Sequence, residues 1–205
     1  MPERTSGCNV KERNMKMASE TASTVKANSK VREMVTIALL AAVLCIMAPL
    51  SLPIGPVPVS LTNLALYFFV IIVGARRTSI AFIIYCLLGM AGLPVFSGFS
   101  GGLGKLVGPT GGYIIGFLPM VIVMGLYIEK HRRNYVMNII VMEASTWIPY
   151  LLGTAWLAFS AGMTFSEALA AGVIPFIVED LIKMVLAALV APQIYTSLKK
   201  ANLAD

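Results

Sequence analysis

Charge is what this 205-residue chain has least of. Asp, Glu, Lys and Arg make up only 13% of it, about half of the roughly 25% found in soluble domains. So little charge cannot coat a water-exposed surface, which argues against a water-soluble globule. Histidine is scarcer still: His131 stands alone, in a basic loop. A histidine-built metal centre or a Ser/His catalytic pair inside the apolar runs is thereby excluded. The three cysteines, Cys8, Cys45 and Cys86, follow no disulfide or zinc spacing. A phosphate-cradling loop is missing too. The pair Gly104-Lys105 would need Gly five residues before Gly104, where Phe99 stands, and Ser or Thr after the lysine, where Leu106 stands. No metal and no cofactor is expected.

What is present is oil. Hydrophobic residues make up 58% of the chain and the mean hydropathy is +0.82, values that allow disorder only locally. Residues 1–30 are such a stretch: polar, without the apolar core of a signal peptide, and expected to be a disordered cytoplasmic tail. Residues 31–205 form the membrane domain. A helical span needs about 20 mostly apolar residues, and the sequence offers six runs: 35–52, 61–75, 78–93, 113–128, 135–159, and a last one from about Ala168 to Lys199-Lys200. The prolines Pro53, Pro56 and Pro58 mark the first outer loop, since proline lacks an N–H and breaks helices. The expected fold is therefore all-α and integral to the membrane, with six transmembrane helices.

The positive charges give the orientation. The net charge of +6 would suit nucleic acid, but the bases sit at span ends rather than on one face, so no nucleic acid is expected. Of the sixteen Lys and Arg residues, all but Lys105 and Lys183 fall in the tail, the turn at Arg76-Arg77, the loop 129–133 and the C-terminus. Six spans put those four segments on one side, and the positive-inside rule makes that side cytoplasmic. Both termini are then inside, and a Gly-rich extracellular loop joins helices 3 and 4.

That loop, residues 92–112, is a candidate binding lid. Irregular backbone at membrane depth is tolerated only inside protein or along a cavity, and its free N–H groups could receive an anion. A plain linker is the alternative. Asp180 and Lys183 are three apart and share one helical face. Ionised groups inside a span are costly and normally face a cavity, a partner or the bundle interior. Together they offer acceptor oxygens and a three-proton donor, which suits a urea-like or amide-like group. A purely structural ion pair is the competing reading, and Glu179, four before Lys183, could pair with the lysine instead. Glu143 is a lone acid on span five without an assigned role. Tyr85, Phe96, Phe99, Trp147, Tyr150 and Trp156 cluster on the outer half, as interface anchors or as pocket walls. Thr62 and Asn63 open span two, where their side chains could cap the helix or reach a ligand. Ala38 and Ala42 are small residues four apart, a spacing that allows close helix approach.

Four stretches are similar to one known family. Tyr85–Phe117, reading YCLLGMAGLPVFSGFSGGLGKLVGPTGGYIIGF, is the most specific; Pro56–Val59, Tyr150–Leu157 and Pro175–Lys183 support it. Over about residues 33–200 the chain resembles BioY, the biotin-specific substrate-capture (S) component of energy-coupling factor (ECF) transporters. The resemblance implies a six-helix domain in the cell membrane that captures biotin from outside. With a transmembrane T component and two cytoplasmic ATPases it would deliver the vitamin to the cytoplasm. It also implies no chemistry performed on the ligand. Ala38 and Ala42 would lie on the family's docking face, Asp180 and Lys183 at the ureido ring, and the glycine lid, with Lys105, at the valerate carboxylate. The expected ligand-binding set is Thr62, Asn63, Tyr85, Phe96, Ser97, Gly98, Gly101, Gly102, Trp147, Tyr150, Asp180 and Lys183. The chain departs from the family pattern at Thr62, where Gln is common, and at Glu179, where Gly is common. An S component for another small vitamin, a stand-alone proton-coupled transporter and a membrane enzyme are the alternatives, the last opposed by the missing histidine and acid cluster.

Overall fold

The computed structural model describes residues 30–53, 57–132 and 134–201. The tail expected over residues 1–30 falls outside them except for Lys30, which is helical. The chain divides into two units, Met1–Thr36 and Ile37–Asp205. Of the first, residues 30–36 are described, and they are helical. The second holds everything that follows.

Helix α1 covers residues 37–47 of that unit. Ile37, Leu40, Ala41 and Leu44 recur at helical spacing and are buried, while Ala38, Leu39, Ala42 and Ile46 form the opposite, exposed face. Past Pro49 come two short strands, β1 (Ser51–Leu52) and β2 (Val59–Ser60), which pair antiparallel as a small hairpin. Helix α2 (Thr62–Val73) is buried nearly all round, with Leu66, Tyr67, Val70 and Ile71 sealed from solvent. A helix apolar on every side belongs in the middle of a bundle, and α2 packs against three other helices.

Gly74 joins α2 to α3 (Ala75–Met90) at φ 91°, a backbone that L side chains rarely adopt. No side chain of its own caps α3. Glu129 reaches in from α5 (Gly111–His131), and its Oε1 accepts the Ala75 N–H at 2.5 Å. A carboxylate at a helix N-terminus suits the positive end of the helix dipole. The glycine-rich segment is not structureless. Phe96 and Ser100 pair as an isolated bridge, and Leu103–Val107 forms the short helix α4.

Helices α5 and α6 (Tyr135–Ala161) are each long and apolar enough to cross a membrane. Their mutual interface is the most extensive in the molecule. Glycine makes it possible: Gly116 lies on the Pro149 backbone, and Gly153 faces the Tyr113 ring so closely that a Cβ would overlap it. The last apolar run differs from expectation. It does not start as one helix near Ala168; that residue lies within α7 (Phe165–Gly172), and α8 (Ile174–Lys200) begins after Val173. Gly172 and Pro175, placed in the first turn of α8, explain the break. Outward faces carry Leu126, Ile140, Leu151, Ile182, Leu186 and Leu189, all exposed. Apolar surface on that scale suits hydrocarbon rather than water.

The α5–α6 crossing makes a direct prediction. In Gly116→Ala the new methyl must push back the Pro149 backbone, at an expected loss of about 1–3 kcal/mol, or roughly 3–10 °C in the apparent melting midpoint of detergent-purified protein. An unchanged midpoint would mean that the two helices approach less tightly than the structure indicates.

Candidate functional site

Helices α2, α3, α5, α6 and α8 enclose one cavity with the β1–β2 pair and the Gly-rich segment. It leaves about 70 Å³ for the centres of water-sized molecules. Phe82, Tyr85, Ile114, Phe117, Pro149 and Phe176 give it apolar walls, and Thr62, Asn63, Thr146, Glu179, Asp180 and Lys183 supply polar groups.

The polar end is built on Asn63. This residue follows the hairpin into the first turn of α2, where it faces α8 and lies buried. Its Nδ2 donates to Asp180 Oδ1, and its Oδ1 accepts from Lys183 Nζ at 2.9 Å. One amide thus bridges an acid and an amine that are themselves 3.7 Å apart. Tyr150, on α6, donates its hydroxyl to Asp180 Oδ2 at 2.6 Å. Lys183 Nζ also donates to the Ser60 carbonyl at 2.6 Å and forms an ion pair with Glu179 Oε1. Both Asp180 oxygens and all three ammonium protons of Lys183 are therefore engaged within the protein. Charges buried this deeply persist only when so paired.

The glycine segment comes to the same cavity through Ser97 and Thr110, which line it. Several features fasten it there. Phe96 is fully buried, meets the Tyr85 ring edge-on at 5.5 Å, and occupies the space that a side chain at Gly89 would need. The Gly98 N–H donates to the Pro49 carbonyl at 3.2 Å and the Gly102 N–H to the Gly89 carbonyl at 2.7 Å. Trp156 Nε1 donates to the Gly108 carbonyl at 2.9 Å.

Of the twelve ligand-site residues expected from sequence, Thr62, Asn63, Tyr85, Ser97, Tyr150, Asp180 and Lys183 line the cavity. Phe96, Gly98, Gly101, Gly102 and Trp147 do not. Phe96 supports Tyr85 from behind, and Trp147 sits partly exposed, edge-on to Tyr150 at 5.9 Å. Gly101 packs on the Leu93 carbonyl. The amides of Gly98 and Gly102, expected to be free for an anion, are spent on protein carbonyls. Lys105 also stands outside the lining, and burial pulls its ammonium below the ordinary lysine value. Thr62 is the first helical residue of α2 rather than its cap; Leu61 holds the cap position without a side-chain bond. The structure adds Phe82, Tyr113, Phe117, Thr146, Pro149 and Phe176 to the walls. A signal existed for three of them: Phe82, Thr146 and Phe176 lie three or four residues from Tyr85, Tyr150 and Asp180. Among the described residues no group of His, Cys, Asp or Glu could hold a metal ion.

Comparison with known proteins gives a consistent result. Residues 17–200 match the model of the BioY family. The biotin transporter BioY2 of Lactococcus lactis subsp. cremoris (strain MG1363) is 35% identical over 179 residues, covering 85% of this chain and 96% of that protein. The biotin transporter BioY of Thermotoga maritima is 37% identical over 161 residues, covering 78% of this chain and 94% of that protein. Among solved structures, the fold is similar to that of an S-component for biotin from an ECF-type ABC transporter, with a TM-score of 0.76 and 27% identity over 82% of this chain and 93% of that one.

The bridging role of Asn63 can be read from stability. Tyr150→Phe leaves one Asp180 oxygen without its donor and should cost about 1–3 kcal/mol. Asn63→Leu strips both Asp180 and Lys183 and should lower the melting midpoint further. A smaller loss for Asn63→Leu than for Tyr150→Phe would show that the amide is not the bridge.

Proposed function

Because the chain belongs to the BioY family, a family of transporter S components rather than enzymes, we propose that it captures biotin and hands it to an ECF transport complex. The observation that carries this reading is the Asn63–Asp180–Lys183–Tyr150 cluster at one end of an otherwise apolar cavity. Biotin has matching chemistry: a urea-like ring with two N–H donors and a carbonyl, a thioether ring, and an aliphatic chain ending in a carboxylate. The cluster holds acceptors and donors for the ureido group, and Phe82, Tyr85, Phe117 and Phe176 offer apolar surface for the rest.

Because the cluster is internally paired, binding is an exchange of partners. The ligand carbonyl takes a Lys183 proton now shared with Ser60 or Glu179, and a ureido N–H competes with Tyr150 for Asp180. Such exchange costs less than creating the contacts anew, since the charged groups are already held in place. The Gly-rich segment carrying Ser97 and Thr110 covers the site from outside.

The remaining parts of the proposal concern topology and assembly. The protein spans the plasma membrane six times with both termini in the cytoplasm, as the Lys/Arg distribution supports. The exposed face of α1 that bears Ala38 and Ala42 docks a T component, which carries two cytoplasmic ATPases. This chain supplies specificity, and the ATPases supply the energy.

A vitamin panel on the purified protein tests the ligand. Biotin at 100 times its Kd should stabilise the fold by about 2.7 kcal/mol, visible as a rise in melting midpoint. Asp180→Asn and Lys183→Met should each weaken binding tenfold or more, roughly the loss of one charge-assisted hydrogen bond. A shift with a different vitamin and none with biotin would overturn the ligand assignment. Uptake that persists without any ATPase partner and collapses with an uncoupler would overturn the assembly.

A further inference from the structure

We propose that Glu179 is a specificity-determining residue, its Oε2 accepting a hydrogen bond from one of the two ring N–H groups of the ligand. The inference rests on the biotin reading above and concerns a residue that the family pattern does not assign.

It follows from an inventory of hydrogen-bonding capacity. Asp180 has its Oδ1 engaged by Asn63 and its Oδ2 by Tyr150. The three protons of Lys183 go to Ser60, Asn63 and Glu179. Four buried side-chain atoms among the described residues have no partner: Ser79 Oγ, Arg132 Nε, Asn138 Oδ1 and Glu179 Oε2. Of those four residues only Glu179 lines the cavity. A buried carboxylate oxygen without a donor is costly, and here the cost falls on a residue of the ligand site.

The placement suits a cyclic urea. Glu179 and Lys183 stand one turn apart on α8 and form an ion pair through Oε1. The pair thus offers an acceptor, Oε2, beside a donor, Nζ. One edge of a urea presents the complement, an N–H beside a carbonyl oxygen. A carboxylate paired through one oxygen needs no large rearrangement to use the other. A simple counter-ion role for Glu179 accounts for Oε1 but leaves Oε2 unexplained.

The test uses the full chain in detergent and isothermal titration with biotin and its two N-methyl isomers, each lacking one ring N–H. The readout is the ratio of each isomer's Kd to that of biotin, in wild type, Glu179→Gln and Glu179→Ala. Wild type should disfavour one isomer by about tenfold or more. Glu179→Gln keeps the bulk of the side chain but offers a weaker, neutral acceptor, so that ratio should fall about threefold or more while the other isomer's ratio holds. Glu179→Ala should reduce it to about two, and if that variant does not fold, Glu179→Gln carries the test alone. Variants that weaken all three ligands equally, with both ratios kept, would overturn the proposal and leave Glu179 a counter-ion of Lys183. Wild type that binds none of the three would overturn the functional reading itself.

Discussion

The buried couple of Asp180 and Lys183, bridged by Asn63, is the constraint around which the rest is arranged. Two opposite charges one turn apart on α8 cannot lie in an apolar bundle unless every oxygen and proton has a place to go. The partners come from several elements: Ser60 at the end of β2, Asn63 in α2, Tyr150 in α6 and Glu179 on α8 itself. Satisfying the pair therefore fixes how α2, α6 and α8 meet. The same groups that lock the helices line the cavity.

The Gly-rich segment obeys a different rule. It is held by shape and backbone rather than by charge. Phe96 fills a space that Gly89 leaves open, and glycine amides in the loop bond to carbonyls of neighbouring turns. Glycine is needed there for close approach and for positive φ, as at Gly98 and Gly102. Built in this way, the segment contributes only Ser97 and Thr110 to the cavity lining.

Much of this was legible in the sequence, for identifiable reasons. Charge-free runs ending at Arg76-Arg77 and at the basic loop 129–133 locate α2, α3 and α5 within a few residues, because hydropathy and charge are local properties. The sharing of one face by Asp180 and Lys183 follows from helical periodicity alone. The break at Val173 was missed, although Gly172 and Pro175 flank it, because the run is apolar throughout. The position of Phe96 could not be read, since it depends on a gap at Gly89 seven residues earlier and on the turn between them. Nor could the bridging role of Asn63, whose partners lie more than a hundred residues away. Glu179 was legible as a competitor for Lys183; that its second oxygen has no donor depends on tertiary packing and could not be read.

The bond from Gly98 to Pro49 ties two regions usually considered apart. Pro49 lies just past the end of α1, and Gly98 sits between the bridged residues Phe96 and Ser100. A single amide thus staples the Gly-rich segment to the stretch that leads from α1 into β1, so two pieces of chain some fifty residues apart share one anchor point.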